Sequence, residues 1–175
     1  PAAVGSHFIL SIALIAGAVL LVERTRNYPD RGSVAPVARN LVRTLILVGL
    51  GVILLGIVVT GSGPHAGDLQ APRFGFEIRT VAWLHADLVI AFVGLLVGYL
   101  LLLHFAPVVL DNALAEKRKS EARWLLTIAL AQGAIGYIQY FTGVPEILVM
   151  AHLFGVVILW SALIRHGIRV RAFHR

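Results

Sequence analysis

Two histidines, His85 and His152, each lie a few residues inside the same end of a long apolar segment. An imidazole in a hydrocarbon layer needs a partner, and two at matching depth on neighbouring helices suggest one shared ligand. A heme iron held from both faces is the natural candidate. With both axial positions filled, such a site carries electrons and leaves no position for oxygen. The chain has no cysteine, which excludes thiolate ligation of a metal or heme within it. The alternative is a pair of interfacial histidines hydrogen-bonded to carbonyls or water.

The other histidines sort by depth. His7 lies at a similar outer depth in the first apolar run, whereas His104 and His166 lie near the opposite ends of theirs and read as interfacial residues beside charge. His174 sits in a basic tail and reads as solvated. A second heme below the first would need both histidines of a helix on one face. At about 100° per residue, the 19 steps from His85 to His104 leave them roughly 100° apart, so one outer heme is the better reading.

Long helices in lipid must position these residues. The 175-residue chain is 58% hydrophobic and 14% charged, with a mean hydropathy of +0.86, too apolar for a soluble domain of this size. Runs near the roughly 20 residues that cross a bilayer recur at about 2–22, 44–61, 81–105, 124–141 and 146–164. The expectation is therefore an all-α polytopic bundle of five spans, the last four forming a four-helix heme-binding bundle. Barrel strands are a poor reading, because the runs are too long and lack apolar-polar alternation. The first run has neither the basic leader nor the cleavage context of a secretory signal.

Charge sets the orientation. All but two of the fifteen basic residues fall in 23–43, 106–123 or the tail; the exceptions are Arg73 and Arg79, in 62–80. Positive-inside bias puts those three basic segments in the cytoplasm and puts residue 1, the 62–80 loop and the 142–146 turn outside. The net charge of +6 is thus accounted for by topology and anionic membrane lipid, without nucleic acid as a partner. The setting expected is a bacterial plasma membrane with a cytoplasmic C-terminus. No span carries a central ionisable relay, which argues against a transporter.

Joints and loops follow. Tyr28-Pro29-Asp30-Arg31-Gly32-Ser33 breaks the first cytoplasmic connection, Pro107 follows the third span, and the short turn Thr142–Glu146 makes the last two spans an antiparallel pair. Glycines inside the helices permit close backbone contact, and Gly94 and Gly98 have a small-xxx-small spacing. Gly155, one turn below His152, would remove bulk where a porphyrin must pass. The glycine-rich stretch Thr60–Asp68 brings His65, with Arg73 and Arg79 beyond it, to the side where an outer heme exposes its propionates; a plain surface loop is the alternative. Asp87, nearly opposite His85 on its helix, is expected to pair with Arg79. Gly5-Ser-His7-Phe-Ile-Leu-Ser and Met150-Ala-His152-Leu-Phe-Gly echo each other, as if one four-helix unit ended and a second followed.

Several of these stretches carry a resemblance. Val58-Val-Thr-Gly-Ser-Gly-Pro-His-Ala-Gly-Asp68, the Leu84-His-Ala86 step, Ala131-Gln-Gly-Ala-Ile-Gly-Tyr-Ile-Gln-Tyr-Phe-Thr-Gly-Val-Pro-Glu146 and Met150-Ala-His152 resemble heme A synthase, especially its actinobacterial branch. The resemblance implies an eight-helix membrane enzyme of two similar halves, each holding a heme between paired histidines near the outer face. Residues 1–22 would be the last helix of the N-terminal half, 23–43 a cytoplasmic linker, 44–166 the C-terminal bundle and 167–175 a basic tail. It implies a heme b cofactor whose iron ligands fall on His85 and His152, with His7 one of the pair holding the heme O substrate. The family oxidises a methyl group of heme O to the formyl of heme A for cytochrome oxidase, so heme O synthase and oxidase assembly factors are expected partners.

The departures from that pattern matter equally. The family's first three helices are absent from the sequence, and with them the other substrate-side histidine, a loop glutamate proposed to act in catalysis and the loop cysteines of many members. The expectation is part of a longer enzyme, its catalytic residues mainly elsewhere. A non-enzymatic b-type membrane cytochrome, or a heme-binding subunit of a respiratory assembly, is the competing class.

Overall fold

Helices account for the chain's regular structure, as their unbroken apolar runs require. The computed structural model describes residues 1–26, 34–64, 70–106 and 111–170, and among these there is no strand. The helices are α1 (Ala2–Thr25), α2 (Pro36–Ser62), α3 (Ile78–Phe105), α4 (Asn112–Phe141) and α5 (Glu146–Val170). Four of them, α1, α2, α3 and α5, are long and apolar enough to cross a membrane. α4 falls outside that group: its first third is charged, and Gln132, Gln139, Tyr137 and Tyr140 dilute the rest.

Local chemistry sets the ends. α2 opens on Pro36, whose missing N–H costs nothing in a first turn. α4 opens on Asp111, whose carboxylate accepts the Leu114 N–H at 2.7 Å. Between α4 and α5, Gly143 and Val144 both take left-handed backbone conformations and reverse the chain before Pro145. α4 runs past its apolar segment because residues 112–123 are rich in alanine, glutamate, lysine and arginine, which form helix readily.

α2, α3, α4 and α5 close a ring in which each helix touches the next and α5 returns to α2. The diagonal pairs α3/α5 and α2/α4 make no close backbone contact among the described residues. α1 lies outside the ring against α5 and α2, and only 6% of its apolar stretch is buried. The Trp160 indole anchors it by donating to the Ile12 carbonyl at 3.1 Å.

The buried core is lopsided. Ala38, Val42, Leu45 and Ile53 of α2 meet Phe92, Leu96, Tyr99 and Leu103 of α3, Leu114, Ala122, Leu125 and Ala129 of α4 and Trp160, Leu163 and Val170 of α5. Nearly all of these lie in the half of the bundle containing the α2 N-terminus. Gly94 and Gly98 meet nothing within 4 Å of an added Cβ, so the small-xxx-small spacing does not mark a helix contact here. The glycines that do admit a neighbour include Gly49, against Leu163 and Phe92, and Gly167, against Ile46.

An ionic cluster braces the same half. Arg118 of α4 and His166 of α5, each 2% exposed, both donate to Glu121 Oε2 at 2.8 Å; a carboxylate only accepts, so His166 Nδ1 carries a proton. Tyr99 Oη lies 2.8 Å from His166 Nε2. Arg169 bridges Glu121 at 2.7 Å and, through Nε and Nη2, the buried Glu23 of α1 at 2.9 and 3.2 Å. His166 is therefore not an interfacial residue beside charge but a buried link joining α3, α4 and α5. Full burial of the ring leaves it only protein partners, and each nitrogen has one.

Burial alone would raise the Glu121 carboxyl, but the hydrogen bond from His166 and the Arg118 guanidinium outweigh it and hold the group well below the usual carboxylate range. A depressed carboxylate contributes stability above its unfolded-state value and loses it as pH falls toward the folded-state one. Thermal unfolding in detergent, followed by helical circular dichroism, is expected to worsen progressively below about pH 4.3. Glu121→Gln, which removes the carboxylate charge that Arg118 and Arg169 share, is expected to cost about 3–5 kcal/mol at neutral pH and to flatten that acid dependence.

Candidate functional site

Opposite the braced end lie His85, the eighth residue of α3, and His152, the seventh of α5. Both helices start from the same side of the ring, so the two histidines lie within about one residue of the same depth along it. Both rings are half-buried, and each has its Nδ1 buried and without a hydrogen-bond partner. They are near enough to interact electrostatically. α3 and α5 are diagonal in the ring and their backbones make no close contact, so the two imidazoles approach each other across its interior.

Glycines on the flanking helices shape this region. A Cβ on Gly56 of α2 would stand 3.3 Å from His85 Cε1 and 3.7 Å from Nδ1, and one on Gly136 of α4 would stand 3.6 Å from His152 Cε1. Each ring thus lies along a bare strip of the preceding helix. The backbone of Val52, one turn before Gly56, approaches His85, and that of Gln132, one turn before Gly136, approaches His152. Neither approach completes a hydrogen bond to Nδ1.

Gln132 is not among the candidates that the sequence suggests. Its side chain is 9% exposed with a buried, unpartnered Oε1, and its amide fills the space beside Gly155, where any Cβ would overlap it. Gly155 therefore makes room for Gln132. The stripe Leu114, Arg118, Ala122, Leu125, Ala129, Gln132 has helical core spacing, and that periodicity is the signal that marks both polar members as inward-facing.

The remaining candidates are dispersed. His7 is exposed on α1. Arg73 donates to the Pro64 carbonyl at 3.0 Å where the loop folds back on the end of α2, and the Phe74 ring covers Gly61 beside it. Arg79 is exposed in the first turn of α3. Asp87 is exposed too and makes no ion pair with Arg79; eight helical residues separate them by about 12 Å, beyond the reach of a pair. His104 is exposed and its Nδ1 lies 2.8 Å from the Leu100 carbonyl. His65, residues 27–33, Pro107 and His174 lie outside the described residues.

Among the described residues no group of three or more histidines, cysteines or carboxylates gathers to hold a bare metal ion. Comparison with known families, with characterised proteins and with solved structures finds no match to this chain.

The overlap at Gly155 makes a test. Gly155→Ala is expected to cost about 1–3 kcal/mol by overpacking, and Gln132→Ala in the same chain to recover most of it. Thermal melts of the single and double variants check the coupling.

Proposed function

We propose that this chain is the heme b-binding portion of a heme A synthase, with His85 and His152 as the axial ligands of one heme. The single observation that carries the reading is the diagonal imidazole pair: similar depth, mutual proximity, and a buried Nδ1 on each that is left without a partner. Iron-ligating histidines use one ring nitrogen for the metal and offer the other as a donor, so unsatisfied imidazoles at a shared depth fit that donor set. The lopsided core agrees. Large apolar side chains concentrate in the braced half, while Gly56 and Gly136 adjoin the histidines in the other.

A heme bound there supplies reversible one-electron transfer. The chain's own residues hold and orient it: His85 and His152 from two diagonal helices, Gly56 and Gly136 by letting the rings lie against backbone. Arg73, on the side from which α3 and α5 start, and Arg79 are the cations available to propionates, with His65 a further candidate. α4 serves as a fifth span, since it is antiparallel to α5 and completes the ring. The basic segments 23–43 and 106–123 and the tail face the cytoplasm of a bacterial plasma membrane, and the heme lies under the outer surface. In the family that this sequence resembles, oxidation of the heme O methyl group belongs to the other four-helix half, from which only α1 with His7 has a counterpart here. Heme O synthase and oxidase assembly factors are the partners this reading implies.

The second reading, a b-type membrane cytochrome without enzymatic activity, draws on the same site, because a heme ligated on both faces only transfers electrons. Three measurements separate the cases. A reduced-minus-oxidised spectrum of the purified chain is expected to show bis-histidine b-type bands, abolished in His85→Ala or His152→Ala and retained in His7→Ala. Loss of the bands in His7→Ala, or their persistence without His85, would overturn the assignment. Joined to the family's remaining helices and given heme O, the chain is expected to yield extractable heme A; a cytochrome would leave heme O unchanged.

A further inference from the structure

Resting on the heme reading, we infer that the helix backbone supplies the hydrogen-bond acceptors that orient both axial imidazoles: the Val52 carbonyl of α2 for His85 and the Gln132 carbonyl of α4 for His152, each laid bare by a glycine four residues later. The two sites are built alike. A histidine in the first two turns of one helix lies on the preceding helix, where residue i is Val52 or Gln132 and residue i+4 is Gly56 or Gly136.

Helix geometry explains the spacing. The carbonyl of residue i bonds the N–H of residue i+4, but its second lone pair remains open to a lateral donor. A side chain at i+4 leans toward the helix N-terminus and covers that carbonyl; glycine there uncovers it. At Gly56 the ring edge bearing Cε1 and Nδ1 is the one that faces α2, at 3.3 and 3.7 Å from an added Cβ, so Nδ1 is the nitrogen presented to the backbone. Both Nδ1 atoms are buried and unpartnered, and the two carbonyl-bearing residues are the backbone groups nearest to partnering them. A short rotation of each ring completes an Nδ1–H···O=C bond. That bond fixes the tautomer, leaves Nε2 for iron, and makes the imidazole a more basic ligand that favours the ferric state.

The glycines supply the variants. Gly56→Ala brings a methyl group against His85, and Gly136→Val does the same to His152; Gly133→Ala and Gly94→Ala are controls, since a Cβ at either meets nothing within 4 Å. In the purified holoprotein, Gly56→Ala and Gly136→Val are expected to raise the heme midpoint potential and to weaken heme retention by roughly 10- to 100-fold, while the controls match wild type. An independent readout needs no variant. In the low-spin ferrous wild-type protein with ¹⁵N-labelled histidine, both ligand Nδ1–H protons are expected in the NMR spectrum, protected from exchange with deuterated solvent. Unchanged potentials and retention in both glycine variants, or Nδ1–H protons that exchange at the solvent rate, would refute the backbone assignment while leaving heme binding intact. A wild-type chain that binds no heme would instead refute the reading on which the assignment rests.

Discussion

A polar group inside this bundle can find a partner only within the protein, because the hydrocarbon around an apolar helix offers none. Most of the architecture follows from how the few buried polar side chains meet that demand. At one end Glu23, Tyr99, Arg118, Glu121, His166 and Arg169 satisfy one another and stitch α1, α3, α4 and α5 together. At the other, His85, Gln132 and His152 keep polar atoms that the chain's own side chains do not satisfy. The first arrangement closes on itself apart from one buried guanidinium nitrogen, Arg118 Nε, whereas the second leaves a polar atom open on each of its three residues. That contrast separates the brace from the site.

Backbone spacing in the ring reinforces the division. Large apolar side chains such as Phe92, Leu96 and Leu125 fill the interior of the braced half. Toward the histidines the helices present Gly56, Gly136 and Gly155 instead, and a glycine brings backbone, with its fixed dipoles, into contact with whatever lies alongside. Small residues thus do two jobs here. Gly49 and Gly167 let apolar side chains of neighbouring helices approach; Gly56 and Gly136 let the edge of an imidazole come up to a helix backbone.

Much of this was legible in the residues. Apolar run length located all five helices, because a membrane-length stretch without turn residues has no other way to satisfy its backbone. That His85 and His152 fall near the starts of α3 and α5 was readable from the bounds of the apolar runs. Burial was less so. In lipid both faces of a helix are apolar, so hydropathy does not say which side turns inward, and His166 read as interfacial although it is fully enclosed. Its partners come from distant segments: Glu121 is 45 residues away and Tyr99 is 67. No local pattern encodes such a meeting. The expected Arg79–Asp87 pair failed for the opposite reason, since nearness in sequence along a rigid rod is not nearness in space. Gln132 lay in plain view within the α4 stripe, and only a period count that admits polar members finds it.

The brace has a further property. Two guanidinium groups and two carboxylates, Arg118, Arg169, Glu23 and Glu121, carry opposite charges that cancel within one cluster. A cluster that sums to zero adds nothing to the basic surface around it, so anionic lipid headgroups pull on the flanking arginines and lysines and not on the contacts that hold the helices together.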